Sequence, residues 1–176
     1  IQDGFAGFSS TYAWTYGGGA PSDVVYNTNA VDGALSIDLT WNGGAFGGVW
    51  WQIVDPSDLT NPENVVPTDM SAYAGGNLVF AIQFPPEVEY YFLVKMESGF
   101  LNGGPNGRLN LLDYTPVPIG GGFMEYTIPV DDFVNMPYGV DLSQVIIPFA
   151  LWSPESAQGS YYPANVVVDN IHFTLP

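Results

Sequence analysis

The sequence has no cysteine and almost no basic side chains. Its 176 residues include two Lys and Arg against eighteen Asp and Glu, which gives a formal net charge of −16. The absence of cysteine excludes disulfide scaffolds, cysteine-ligated zinc and thiol catalysis, and it is neutral on compartment. The shortage of positive charge argues against binding to DNA, RNA or an anionic membrane surface, because nothing neutralises phosphate groups.

Long hydrophobic runs are also missing. No run of about 18 apolar residues occurs, which argues against a membrane span, and no basic segment precedes an apolar stretch, so we expect no signal peptide. Charged residues make up only 11% of the chain and hydrophobic residues 47%, so it is not a disordered acidic tail. This length predicts a single domain over residues 1–176 with one core.

Glycine and proline are abundant, at 21 and 15 residues, and they separate short stretches of alternating polarity. Residues 49–54 are an example, because Val49 and Trp51 alternate with Trp50 and Gln52. Strands are predicted at 34–41, 49–54, 78–84, 90–97, 108–114, 123–130, 145–151 and 166–175, and single helical turns at 68–73, 131–133 and 141–143. The pattern predicts an all-β fold, namely a two-sheet antiparallel β-sandwich of the jelly-roll type.

Aromatic residues exceed what one core needs, with five Trp, eleven Tyr and eleven Phe. By strand alternation, Trp50 shares a face with Gln52, and Tyr91 shares a face with Lys95 and Glu97. Further aromatic residues follow strands or lie in loops: Trp152, Tyr161 and Tyr162. An exposed ring beside amide and carboxylate groups suits a sugar, whose C–H face stacks on the ring while its hydroxyls form hydrogen bonds. The alternative is that Trp50 or Tyr91 belongs to the core of a sheet covered on both sides.

Lys95 and Arg108 are the only basic side chains, and both fall within predicted strands. In so acidic a chain, we expect Arg108 to pair with a carboxylate, and its planar fork could also bind sugar hydroxyls. The alternative is an ordinary solvated ion pair, which contributes little to stability.

The last predicted strand contains Asp169 within an otherwise apolar run, Val166 to Phe173. A buried carboxylate needs a cation or a hydrogen-bond partner. Asp3 and the pair Asp32–Gly33 offer further oxygen ligands, so a Ca²⁺ site assembled from distant segments is one interpretation. The other is that Asp169 caps a turn by accepting backbone N–H groups.

Several short motifs occur in a recognisable order. They are Asp3-Gly4-Phe5, Val31-Asp32-Gly33-Ala34-Leu35, Gly47-Gly48-Val49-Trp50, Asp69-Met70-Ser71-Ala72-Tyr73, Tyr126-Thr127-Ile128-Pro129, Asp141-Leu142-Ser143-Gln144-Val145 and Val168-Asp169-Asn170-Ile171. Together they resemble the carbohydrate-binding modules of the galactose-binding-domain-like jelly-roll type, over nearly the whole chain.

This resemblance implies a structural calcium and a sugar site. The calcium ligands would be Asp3, Asp32, Gly33 and Asp169, although glutamate is common at the first of these positions. The sugar site would lie on a concave sheet, formed by Trp50, Gln52, Gln83, Lys95, Glu97 and Arg108, with Trp152, Tyr161 and Tyr162 at the rim. Similar domains are appended to secreted β-glucanases and mannanases, which implies an extracellular protein with the catalytic domain of a parent enzyme as partner.

Three functions remain in competition. The first is a non-catalytic module for a neutral polysaccharide or oligosaccharide of the β-glucan or mannan type, because the net charge disfavours anionic chains. The second is an enzyme, but a retaining glycosidase needs two carboxylates about 5–5.5 Å apart, and the frequent Glu-x-Asp pattern is absent. Serine hydrolysis would have only His172, which we expect to be an ordinary strand residue, and no Gly-x-Ser-x-Gly. The third is a structural accessory domain without sugar affinity, whose acidic loop at 55–63 forms an Asx turn in preference to a calcium loop.

Overall fold

The computed structural model describes most of the chain. The described residues are 11–18, 23–27, 30–31, 36–55, 57, 61, 63–84, 92–101, 103–152 and 160–176, with β1 and β2 described by their backbone. Within these residues, no helix has the length and apolar character needed to cross a membrane.

The described strands form two antiparallel sheets. The five-stranded sheet has the order β1 (Thr11–Tyr16), β4 (Gly48–Ile53), β10 (Val145–Trp152), β6 (Leu93–Ser98) and β7 (Asn106–Asn110). The six-stranded sheet has the order β2 (Asp23–Asn27), β3 (Ser36–Asn42), β11 (Pro163–Thr174), β5 (Asn77–Gln83), β9 (Phe123–Pro129) and β8 (Val117–Gly120). The predicted all-β antiparallel sandwich is confirmed.

Each of the eight predicted strands is present, but some bounds differ: the strand predicted at 90–97 begins at Leu93, and the strand predicted at 108–114 extends too far. The strand predicted at 108–114 ends at Asn110, because a 3-10 turn follows at Leu111–Asp113 and the Asn110 side chain accepts a hydrogen bond from the Leu112 amide at 3.0 Å. Three strands escaped prediction, namely β1, β2 and β8, and all three are sheet edges. The sequence of an edge strand is less restricted to apolar residues, because the strand has a neighbour on one side only. In addition, β8 contains Pro118, which is tolerated at an edge because an edge strand has unpaired backbone groups.

The core lies between the sheets and takes one side of each strand. Ile37 and Trp41 of β3 face Val49 and Trp51 of β4 in a single apolar cluster, with Phe149 packed edge-on against Trp51 at 5.0 Å between ring centroids. Fully burying a side chain of this size contributes roughly 1.5–3 kcal/mol. The alternation predicted for these strands is therefore correct, and the intervening residues of the five-stranded sheet are left on its outer face.

The predicted short turns are also present. Asp69 and Asp141 each accept a hydrogen bond at 2.9 Å from the amide two residues ahead, before 3-10 turns at Ser71–Tyr73 and Leu142–Gln144. A short helix, α1, spans Val130–Val134. In the acidic loop, Asp55 accepts from the Ser57 amide at 2.8 Å, so the preferred Asx turn is confirmed. Hydrogen bonds from Ser57 lower the pKa of Asp55, the side-chain one most.

Candidate functional site

The outer face of the five-stranded sheet brings together several of the residues predicted to bind sugar. The register places Trp50 of β4 opposite Ala150 of β10, Ala150 opposite Lys95 of β6, and Lys95 opposite Arg108 of β7. These four side chains therefore form one row across the sheet. Because Ala150 is small, the Lys95 ammonium reaches across it and lies 5.1 Å from the centre of the Trp50 ring.

Lys95 and Glu97 form a buried ion pair at the floor of this face. They are two residues apart on one strand, so both point to the same side, and the Lys95 Nζ contacts Glu97 Oε2. Their side chains are 6% and 1% exposed. Burial lowers the pKa of Lys95 below its usual value, the positive charge of Arg108 lowers it further, and the hydrogen bond and charge of Glu97 oppose this shift. Among the described residues, Glu97 Oε1 is buried without a hydrogen-bond partner.

Trp152 forms the wall of the site together with Arg108. The Arg108 guanidinium carbon lies 4.6 Å from the centre of the Trp152 ring, and the Lys95 Nζ lies 5.7 Å from it. Arg108 Nε donates a hydrogen bond to Asn106 Oδ1 at 2.9 Å. Arg108 was predicted to pair with a carboxylate; its partners among the described residues are the Asn106 amide and the Trp152 ring.

Gly48 leaves space for the Trp152 ring beside β4. Gly48 lies opposite Trp152 in the register of β4 and β10. A Cβ at Gly48 would lie 2.9 Å from the Leu151 carbonyl oxygen and 3.1 Å from Cδ1 of Trp152. Only glycine therefore lets the indole lie this close to β4. On its other side, Phe46 packs edge-on against Trp152 at 4.6 Å and against Tyr161 at 6.0 Å.

These side chains enclose an open cavity of about 440 Å³. We call it the tryptophan groove, and it is lined by Phe46, Trp50, Lys95, Gly103, Asn106, Arg108 and Trp152. The groove offers flat rings for apolar contact and, in the exposed Arg108 and half-buried Asn106, side chains that form hydrogen bonds. It also contains both basic side chains of a chain with eighteen acidic ones.

The other predicted sugar-binding residues have different positions. Gln52 is on the same face as Trp50 but is 2% exposed, and Trp50 itself is 6% exposed. Tyr161 joins the cluster through Phe46, and Tyr162 is half-buried next to it in the chain. Gln83 lies on the six-stranded sheet, where its Nε2 donates to the Gly121 carbonyl at 3.0 Å, so it is not brought together with Trp50. Tyr91 lies outside the described residues.

Three residues that line the groove, Phe46, Gly103 and Asn106, were not identified from the sequence. Phe46 lies between two glycine pairs in a loop, and such pairs predict turns without indicating where the ring between them points. Asn106 is two residues before Arg108 on β7 and therefore on the same face, which is a signal that alternation could have provided.

Asp169, the predicted calcium ligand, lies in β11 of the six-stranded sheet and is 1% exposed. Its Oδ2 accepts from the Val31 amide at 2.5 Å, and its Oδ1 accepts from the Asn170 amide at 2.7 Å. Asn170 has a φ of 51° and lies within an irregularity of the β5–β11 pairing. His172 is a strand residue whose Nδ1 lies 2.9 Å from the Asn170 carbonyl oxygen.

Asp3, Asp32 and Gly33 lie outside the described residues, within which no group of three His, Asp or Glu residues is gathered for a metal. The bond from Val31 nevertheless brings Asp169 beside the chain segment that continues into Asp32–Gly33.

The fold is similar to that of several solved carbohydrate-binding modules. The fold is similar to the family 30 carbohydrate-binding module of a cellulosomal cellulase from Clostridium thermocellum, with a TM-score of 0.67 and 16% identity over 96% of this chain and 94% of that one. It is also similar to the family 11 module from the same organism in complex with a β-1,3-1,4-mixed-linked tetrasaccharide, with a TM-score of 0.53 and 15% identity over 97% and 91% of the two chains.

A third similar structure is a β-1,2-glucanase from Parabacteroides distasonis, with a TM-score of 0.60 and 14% identity over 94% of this chain but only 23% of that one. No protein-family model and no curated protein matches the sequence. At these identities the likeness shows the fold, which is the two-sheet jelly roll of such modules.

Proposed function

We propose that residues 1–176 form one non-catalytic carbohydrate-binding domain whose tryptophan groove binds a neutral polysaccharide of the β-glucan or mannan type. The observation that carries this proposal is the convergence of Trp50, Trp152 and both basic side chains on one sheet face beside an open cavity. The fold is that of modules whose solved examples include a β-glucan tetrasaccharide complex.

The groove has the chemistry that a pyranose ring needs. The indole of Trp152 and the guanidinium stacked on it form a flat wall against which the C–H face of a sugar can pack. Arg108 is exposed and has N–H groups beyond the one given to Asn106, and these can bind hydroxyls. A pocket with flat apolar walls and a few directed polar groups is the usual form of a small-ligand site.

The ligand proposed is neutral for two reasons. The chain has a formal net charge of −16, so an anionic polysaccharide is repelled at long range. Within the groove, the charge of Lys95 is offset by Glu97, which leaves Arg108 as the single uncompensated cation among the described lining residues.

Binding without catalysis fits the state of Glu97. Among the described residues, Glu97 is the carboxylate beside the groove, and it is buried and paired with Lys95. A general acid or nucleophile must reach the glycosidic bond. We further propose that the domain works beside the catalytic domain of a larger extracellular enzyme, as supported by its likeness to modules of cellulosomal cellulases and to part of a glucanase.

Retention on immobilised mixed-linked β-1,3-1,4-glucan and on β-mannan tests the proposal. Trp152→Ala removes the wall, and we expect an affinity loss of about fivefold or more, since one ring contact contributes roughly 1 kcal/mol. Val117→Ala, an exposed change on the six-stranded sheet, is the matched control and should be retained like the original chain. Thermal melting of each variant verifies folding.

Other results would favour the competing functions. Equal retention of the folded Trp152→Ala variant and the original chain overturns the site. Release of reducing sugar from either polysaccharide indicates an enzyme. Absence of retention on every neutral glycan, with calcium supplied, indicates a structural accessory domain.

We also propose a structural calcium held by Asp3, Asp32, Gly33 and Asp169. The fit rests on Asp169, a buried carboxylate that the hydrogen bond from the Val31 amide holds beside the chain segment leading to Asp32 and Gly33. Carboxylate and carbonyl oxygens are the ligands that Ca²⁺ prefers. Bound there, the ion would tie the segment after Val31 to β11 and stabilise the fold without taking part in sugar binding.

A further inference from the structure

A second and larger cavity continues from the tryptophan groove. It has a volume of about 840 Å³ and shares Gly103, Asn106 and Arg108 with the groove. Beyond these shared residues, it is bounded by the loop that follows α1, in particular Tyr138. We call it the tyrosine cavity. Because Arg108 and Asn106 line both cavities, a single extended ligand can pass from one to the other.

The loop that forms the tyrosine cavity is held firmly against the sheet. The Tyr138 carbonyl accepts a hydrogen bond from the Asn106 amide at 2.7 Å, and the Val140 amide donates to the Phe133 carbonyl at 3.2 Å. A Cβ at Gly139 would lie 1.8 Å from the Val134 carbonyl oxygen, so glycine is required for this close turn. A site whose backbone is fixed in advance loses less conformational entropy when a ligand binds.

Tyr138 presents its ring to solvent at the cavity. It is 82% exposed, the highest fraction among the exposed large hydrophobic residues of the described chain. Its position therefore contributes little to the core, although its backbone is tied to β7. Met136 and Pro137 give the cavity apolar surface next to the ring, whereas Arg108 and Asn106 supply polar groups on the side shared with the groove.

We propose that Tyr138 and the loop at 135–139 form a second saccharide subsite, which takes further sugar residues of the same neutral glucan chain that packs against Trp152. The occupant follows from continuity, because Arg108 and Asn106 are common to both cavities and a glycan chain repeats the same pattern of apolar faces and hydroxyls. This inference rests on the proposed function and deepens it. The domain then binds along a chain and gains affinity with ligand length.

Isothermal titration with a length series of β-1,4- or mixed-linked glucose oligosaccharides, from disaccharide to hexasaccharide, tests this subsite. For the original chain we expect affinity to rise with length. Tyr138→Ala should lower the affinity for the hexasaccharide by about fivefold while leaving that for the shortest bound oligosaccharide unchanged. Tyr138→Phe should retain the hexasaccharide affinity because it keeps the ring. Val117→Ala is the matched exposed control.

The outcomes separate this subsite from the groove itself. An unchanged hexasaccharide affinity in Tyr138→Ala, with Trp152→Ala still impaired, overturns the subsite and leaves the proposed function intact. An equal loss for short and long oligosaccharides also overturns it, because Tyr138 would then act on the first groove. If the original chain binds no oligosaccharide in the series and no polysaccharide, the proposed function fails.

Discussion

The buried pair of Lys95 and Glu97 gives the sharpest test of the electrostatics in the tryptophan groove. Glu97→Gln keeps the shape of the side chain and removes its negative charge. The Lys95 ammonium is then left 5% exposed between the rings of Trp50 and Trp152, with no other carboxylate within 4 Å among the described residues.

The burial of Lys95 and Glu97 determines how much stability this substitution should remove. Removing one partner of an exposed ion pair costs about 0–1 kcal/mol, whereas breaking a buried pair costs about 3–5 kcal/mol. Both side chains are buried, but Lys95 lines an open cavity through which water can relax around it. We therefore expect a loss of about 3 kcal/mol in the free energy of unfolding at neutral pH, or roughly 6–12 °C in Tm for a protein of this size.

The loss of stability caused by Glu97→Gln should also depend on pH, in a direction that follows from the pKa of Lys95. Glu97→Gln removes the interactions that raise the pKa of Lys95, while burial and Arg108 still lower it. In the unfolded chain the lysine pKa is about 10.4. At pH values between the lowered pKa of Lys95 in the folded state and its pKa in the unfolded chain, the folded state binds fewer protons than the unfolded state. The free energy of unfolding therefore rises with pH in this range. The deficit of the variant should therefore shrink as pH rises from neutral towards alkaline.

Urea unfolding at pH 7 and at about pH 9.5 measures both effects. The double variant Lys95→Met with Glu97→Gln is the control, because replacing both charges leaves no buried unpaired ion and should restore most of the lost stability. A deficit below about 1 kcal/mol at pH 7 would show that the pair behaves as an exposed one. A deficit that grows with pH would refute the assignment of Lys95 as a buried cation.

Two other predictions follow from buried groups outside the tryptophan groove. Tyr114 donates to Asp132 at 2.8 Å, and burial first, then this bond, raise its pKa. Because the folded state keeps this proton above the unfolded tyrosine pKa of about 10, the contribution is complete below about pH 10 and is lost as pH rises further. Tyr114→Phe should cost about 1 kcal/mol at pH 8 and less at about pH 11 by urea unfolding; a constant difference would contradict this. For the proposed calcium site, melting in EDTA should be lower by roughly 5–10 °C than in calcium at about 100 times its Kd. Asp169→Asn should lose this difference, and identical melting of the original chain in both conditions would overturn the metal.

Alternation predicted which face each central strand buries, and the reason is local. In β4, Val49 and Trp51 enter the core while Trp50 and Gln52 take the other side, because successive side chains point in opposite directions. Alternation could not predict how deeply that outer face is covered. Trp50 is 6% exposed because Val65 and Leu101, from distant parts of the chain, pack around its cluster.

The alternation of side chains along a strand also does not predict which of the two sheets the strand joins. Gln83 is on the outer side of its own strand, as predicted, but β5 pairs with β9 and β11, so Gln83 faces away from the groove. Tyr138 was missed for a related reason. It lies in a loop without periodicity, and the hydrogen bond that its carbonyl accepts from the Asn106 amide fixes this loop beside the five-stranded sheet.

The position of the two basic side chains fits the proposed binding of a sugar chain. Eighteen acidic residues offer many places where a Lys or Arg would gain attraction, yet Lys95 and Arg108 are directly opposite each other on neighbouring strands. Like charges in that position are destabilising, and the charge of Arg108 indeed lowers the pKa of Lys95. Glu97 and the Trp152 ring relieve part of this repulsion, but they do not require Arg108 to be there. A planar cation stacked on an indole at the junction of two cavities does have a use when a hydroxyl-rich chain lies across both.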